Sequence, residues 1–205
     1  MDERRRRLME TGAVLGAVAT LGLGHRARAG SDGDAATDAD TAEVRRVPPR
    51  PDTRSPGRAG DFDFLAGEWR IQHRRRAASG GDWDRFEGEA TCWSILAGAG
   101  SVEELRVPAR DFSGVGLRLL DPDAQLWSDY WVNAKQGQLA TPGMPGSFEQ
   151  GAGLFFSEDL DARGAYLVAS VWDRISPGGC RWRQLVSRDQ GRTWDPNWVM
   201  DWLRR

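Results

Sequence analysis

"FLAGEWRIQHRRRA", Phe64 to Ala77, alternates residue by residue from Trp69 onward. Trp69, Ile71, His73 and Arg75 fall on one face of an extended segment; Arg70, Gln72, Arg74 and Arg76 fall on the other. A helix would scatter that pattern around its circumference, so the stretch is a strand with one dry face. Just before it, Asp61–Gly67 ("DFDFLAG") is the one helical candidate, with Asp61 placed to cap it.

The same reading continues downstream. "SGGD" turns the chain into "WDRFEGEATCWSIL", and "AGAGS" turns it again into "SVEELRV". "GVGLRLLD" and "LWSDYWVNA" are joined at Asp121-Pro122-Asp123. "GSFEQG" and "AGLFFSED" follow a Gly/Pro-rich loop at Ala140–Gly146, and "AYLVASVWDRIS", "CRWRQLVS" and "NWVMDWLRR" complete the chain. Short strands with short links predict an all-β domain over 61–205, a single antiparallel barrel of nine to ten strands. Closure is preferred over a sandwich because a barrel leaves no sheet edge open.

Gly67-Glu68-Trp69 resembles the Gly-x-Trp that opens the first strand of lipocalins and related calycin barrels, where it also follows a short helical turn. That resemblance implies a Trp69 packed across the barrel floor beneath a basic residue near the chain end, Arg204 or Arg205. "DFDFLAGEWRIQHRRR", "GVGLRLLDPDAQLWSDYW" and "SRDQGRTWDPNWVMDWLRR" together resemble an uncharacterised bacterial family of small exported calycin-like proteins, over nearly all of 61–205. The resemblance implies a fold and no activity. Nitrobindin-like haem proteins are similar in architecture, but their haem ligand is a His on a late strand. No His follows His73 here, so haem is not expected and the cofactor stays unknown.

"SRDQGRTW", Ser187–Trp194, matches the whole Asp-box pattern of propeller sialidases. In that turn the Asp carboxylate accepts backbone N–H groups, the Gly takes a positive φ and the Trp packs beneath. Asp189, Gly191 and Trp194 take those places. Propellers repeat the box; here it occurs once, and no carboxylate pair is singled out by spacing for glycoside hydrolysis. Asp189 is read as a hairpin staple.

The N-terminus carries export signals. Arg4–Arg7 precede a weakly apolar stretch, Gly12–Gly24, and Ala27-Arg28-Ala29 offers a small-x-small cleavage site. Thirteen residues are too few to span about 30 Å of hydrocarbon. With Arg5-Arg6-Arg7-Leu8-Met9, residues 1–29 resemble a twin-arginine signal peptide, which places the product in the periplasm or outside the cell without a stable membrane anchor. Residues 30–60 are nearly devoid of large apolar side chains and read as a disordered linker. A net charge of −2 provides no basic field for nucleic acid.

All ten Trp lie between Trp69 and Trp202. Trp127, Asp129, Trp131 and Asn133 share one strand face, and Trp194, Trp198 and Trp202 share another. Such rings suit a flat apolar ligand, and the same spacing suits a filled core. His73 is the only imidazole after signal cleavage and sits in phase with Trp69. It could orient a ligand, move a proton or serve the core. Cys92 and Cys180 could pair in an exported protein or remain inert buried thiols. No metal set, nucleotide loop or nucleophile elbow is present, and Gly114-x-Gly116 lacks the strand-turn-helix setting of one.

The reading is a small-molecule-binding barrel lined by Trp69, His73, Trp127, Trp131 and Trp198, with Gly67, Asp189, Gly191 and Trp194 structural. Two alternatives stand beside it. One is an enzyme using His73 as general acid or base beside Glu89 or Asp201; the other is a filled structural barrel without ligand.

Overall fold

The computed structural model describes residues 38–47, 56–76 and 81–205. The expected signal peptide, 1–29, lies outside them, as do parts of the expected linker and of the Ser79–Asp82 turn.

Among the described residues ten strands form, one in each segment read as a strand: β1 Gly67–Arg75, β2 Asp84–Ile95, β3 Gly100–Val107, β4 Phe112–Asp121 and β5 Leu126–Asn133, followed by β6 Met144–Glu149, β7 Ala152–Asp161, β8 Gly164–Ser176, β9 Gly179–Ser187 and β10 Asp195–Arg204. Every strand pairs antiparallel with its sequence neighbour, and β1 pairs with β10 to close the barrel. The closing register sets Trp69 opposite Arg204 and His73 opposite Met200. Inward positions carry the large rings: Trp69, Trp127, Trp172, Trp202 and Phe155 are each no more than 1 % exposed.

Glycine decides where those rings fit. A Cβ on Gly146 would stand 2.4 Å from the Phe155 ring, and one on Gly114 would stand 2.3 Å from Trp131. The bare backbone of β4 and β6 therefore gives up its side-chain volume to rings from neighbouring strands.

The floor is built by the turn before β1. Asp63–Leu65 form a single 3-10 turn. Asp61 does not cap it; its Oδ2 accepts the Arg58 amide at 2.7 Å and the Trp127 indole N–H at 3.0 Å. The carboxylate thus ties the turn to β5 instead of to itself. Phe62 enters the barrel end, with its ring 5.0 Å from Trp127 and 4.9 Å from Phe148. The Trp69 indole donates to the Leu65 carbonyl at 2.7 Å. Of the two basic candidates, Arg204 covers Trp69: its guanidinium stands 4.3 Å from the ring and donates to the carbonyls of Phe64, Ala66 and Pro177. Arg205 pairs with Glu89 outside. Gly67 keeps this lock open, because a Cβ there would lie 2.7 Å from Arg204 Nη1 and its φ is +127°.

At the opposite end, β9 turns into β10 through the Ser187–Trp194 motif. Asp189 Oδ1 accepts the Thr193 amide and the Ser187 hydroxyl, Oδ2 accepts the Thr193 hydroxyl, and Ser187 accepts the Gly191 amide at φ +86°. Bonds from Thr193 hold the Asp189 carboxyl well below the usual carboxylate range. Trp194 does not share a face with Trp198 and Trp202 as spacing predicts. A register shift between Pro196 and Trp198 turns it outward onto Phe156, Leu154 and Leu185.

The expected linker also differs in part. Asp38–Arg45 form a helix, α1, on the outside of the barrel, with Val44 buried. Arg183, itself 3 % exposed, donates to the carbonyls of Glu43, Val44 and Arg46 at the helix end and pairs with Asp173. Val47 adds to the apolar patch of Leu154, Val171 and Leu185. A segment too poor in apolar residues to fold alone is held by the carbonyls it offers to one buried guanidinium.

Replacing Arg204 by Ala removes the ring stack and three charge-assisted hydrogen bonds; the expected loss is about 2 kcal/mol. Urea denaturation measures it, and Gly67→Ala, which displaces the same guanidinium, adds less than its own cost in the double variant.

Candidate functional site

The barrel interior is not filled. A cavity of about 70 Å³ lies between the floor and the opposite end. Its aromatic wall comes from Tyr130 and Trp131 on β5, Trp172 on β8, Trp182 on β9, and Trp198 and Trp202 on β10. Met144, Met200, Ser170 and Gln184 complete the wall around a charged group formed by Glu103, Arg118 and Asp129.

Three adjacent strands place that charged group. Glu103 on β3 and Asp129 on β5 flank Arg118 on β4, with Nη2 2.6 Å from Glu103 and Nε 3.3 Å from Asp129. Gly116 makes the space, since a Cβ there would lie 3.0 Å from Arg118 Nη2 and 3.2 Å from Glu103. The guanidinium also stands 5.3 Å from the Trp172 ring and 5.4 Å from Phe62. Burial works against its charge, but Asp129 and Glu103 outweigh burial and hold the guanidinium above its ordinary pKa. Burial pushes Asp129 up to about 6, with Glu103 adding to the rise against the pull of Arg118. One cation faces two carboxylates, so the group carries excess negative charge when both are ionised.

The residues singled out from sequence divide. Trp131 and Trp198 line the cavity. Trp69 and Trp127 do not; they belong to the floor, against Trp202 and Phe62. His73 points inward but stands behind Trp198, whose indole N–H donates to Nδ1 at 3.2 Å. Its ring stacks on Phe86 at 4.5 Å. Burial and then the charges of Arg110 and Arg75 hold its pKa down to about 3, so it is neutral at physiological pH. The carboxylates named as its partners face outward: Glu89 pairs with Arg106 and Arg205, Asp201 with Arg74 and Arg181. Neither carboxylate builds an acid–base pair on His73, and no other does so among the described residues. An imidazole committed to Trp198 and a cavity of this size do not fit a haem either.

Cys92 and Cys180 are free and buried. Burial pushes the Cys180 thiol up to about 12, and Cys92 shifts upward too, so both are poor nucleophiles. Among the described residues no group of three or more His, Cys, Asp or Glu could hold a metal ion.

Sequence reasoning missed Arg118 and Glu103. For Arg118 the signal was present in "GVGLRLL": it shares a strand face with Gly114, Gly116 and Leu120, an arginine on the inward phase beside two glycines. The two glycines bind no phosphate; they clear room for Trp131 and for the Arg118–Glu103 pair.

No family model and no curated protein matches the chain. Among solved structures it is similar to an S-type phycobiliprotein lyase, CpeS, of Guillardia theta, at 8 % identity and a TM-score of 0.45, over 70 % of this chain and 90 % of that one. It is also similar to a protein of unknown function from the DUF3598 family of Nostoc punctiforme, at 14 % identity and a TM-score of 0.39, over 74 % of this chain and 50 % of that one. The barrel assignment rests on the closed ten-strand topology itself.

Two buried groups set the pH dependence of stability with opposite signs. His73, near 3 when folded and 6.5 otherwise, contributes stability above pH 6.5 that is lost as pH falls toward 3. Asp129, near 6 when folded and 3.8 otherwise, binds its proton more tightly in the fold. Stability from Asp129 is therefore full below pH 3.8 and lost as pH rises through 6. Asp129→Asn is expected to be more stable than wild type at pH 7 by up to about 3 kcal/mol, with the gain vanishing near pH 4. Urea denaturation at both pH values checks this.

Proposed function

We propose that this chain is an exported binding protein that holds a small apolar or amphipathic molecule inside its barrel. It would then belong to the uncharacterised bacterial family of small exported calycin-like proteins that its sequence resembles. One observation carries the reading: a closed barrel with a sealed floor keeps an unfilled, tryptophan-walled space around a buried arginine. Packed interiors rarely leave such space, and large rings with a few fixed polar groups are what small-ligand sites use. The twin-arginine pattern at Arg5-Arg6 supports passage to the periplasm or beyond.

Each singled-out residue has a part in this reading. Trp131 and Trp198 touch the ligand. Trp69 and Trp127 hold the floor on which it rests. His73 fixes the plane of Trp198 through the Nδ1 acceptor.

Native and denatured mass spectra of the exported chain, with an absorbance scan, test the proposal. A mature N-terminus at Gly30 and a bound mass lost on denaturation are expected. Replacing Ser170, a cavity-wall residue, by Leu should abolish the bound mass in a folded protein. Identical native and denatured masses, with no saturable binding of added apolar compounds, would overturn the binding reading. Full export after Arg5 and Arg6 are both changed to Lys would overturn the twin-arginine route.

A further inference from the structure

The polar groups around the cavity are unequally satisfied. Arg118 Nη1, Trp172 Nε1 and Trp202 Nε1 have no hydrogen-bond partner among the described residues. Arg118 Nε lies within ion-pair distance of Asp129 but is not aligned for a hydrogen bond. All of these are donors, all belong to residues of the cavity wall, and all are sealed from solvent. No cavity-wall side chain shows an unpaired buried acceptor among the described residues. Of the other indoles of the wall, Trp182 donates to Ser170 Oγ at 2.6 Å and Trp198 to His73.

The residues that bear the unpaired donors are neighbours. Arg118 stands 5.3 Å from the Trp172 ring, and the rings of Trp172 and Trp202 are 5.5 Å apart. A buried donor left unpaired has lost its water and gained no partner, so several of them in one wall favour a ligand that brings an acceptor. The charge balance limits what that acceptor can be. Glu103 and Asp129 already outnumber Arg118, so a further carboxylate or phosphate would meet excess negative charge in a low-dielectric site. A hydrocarbon or an ammonium ion would leave every donor unpaired.

Resting on the binding function proposed above, we infer that the ligand is a neutral molecule presenting a carbonyl oxygen. The oxygen lies against Arg118, Trp172 and Trp202, and the flat apolar body extends between Trp131, Trp182 and Trp198. The cavity volume fits the carbonyl and the first few attached atoms; a larger body reaches toward the end of the barrel away from the floor. Specificity then comes from donors that a wrong ligand leaves unpaired, a stronger discriminator than apolar fit.

Four compounds of similar size separate the possibilities: acetophenone, ethylbenzene, benzoate and phenethylamine. Each is titrated into ¹⁵N-labelled full-length mature protein, with the indole N–H resonances of Trp172 and Trp202 as readout. Acetophenone should shift both resonances saturably and bind at least tenfold more tightly than the other three. Trp172→Phe and Trp202→Phe keep an aromatic ring and remove the donor; each should weaken acetophenone about three- to tenfold and weaken ethylbenzene less. Tighter binding of benzoate, phenethylamine or ethylbenzene would overturn the carbonyl assignment while leaving a binding barrel in place. No cavity indole responding to any of the four in a folded protein would overturn both.

Discussion

The pairing of β1 with β10 is the constraint on which the molecule depends. Among the described residues it is the only strand pairing not made between sequence neighbours, and it brings the end of β10 over the turn before β1. Through it Arg204 reaches the Trp69 ring and three carbonyls around the entry turn. Those carbonyls come from short, irregular backbone that cannot satisfy itself, and a guanidinium with several fixed donors suits them. Closing the barrel and sealing its floor are thus one event. An interior with a floor and no open edge can hold space that a two-layer sheet would collapse.

What fills that interior follows from a division of labour between glycine and tryptophan. Gly114, Gly116, Gly146 and Gly153 each stand where a Cβ would collide with an inward ring or charged group. The strands bearing them accept rings from their neighbours, so bulky residues crowd the floor around Phe62, Trp127 and Phe155. Above it, Arg118 interrupts the apolar packing. A buried guanidinium must keep a counter-charge, and Glu103 is held against it, with Asp129 beside, at the expense of closer packing. The cavity sits beside that cluster because charged groups fixed to each other cannot rearrange to fill space as apolar side chains do.

The outer face repeats the logic with the opposite aim. Leu154, Val171 and Leu185 form an apolar patch on β7–β9, covered by Trp194 and by the chain ahead of the barrel. Arg183 holds α1 there by the carbonyls of its last turn. One inward and one outward arginine therefore organise the two sides of the same sheet: one maintains a space and the other covers a surface.

Much of this was legible in the sequence. Period-two alternation marks β1 and turn signals bound the strands after it, because a half-buried strand needs one apolar face and a turn needs its own residues, and both needs are local. The Ser187–Trp194 turn was legible because a few adjacent residues set it, whereas the Trp69 floor was legible only through the resemblance of Gly67-Glu68-Trp69 to calycin barrels. Asp61 and Trp194 were misread because one bond to Trp127 and one bulge near Pro196 depend on what lies across the barrel. Arg118 and Glu103 were not singled out: the in-phase glycines mark the arginine locally, but its partners on β3 and β5 are fixed only when those strands are in register. His73 shows the same limit: its phase was readable from β1 alone, but Trp198, 125 residues away, decides that it supports the wall instead of facing the cavity. Alternation determined the barrel; only closure decided which inward residues meet, because cross-strand register is a property of the whole sheet.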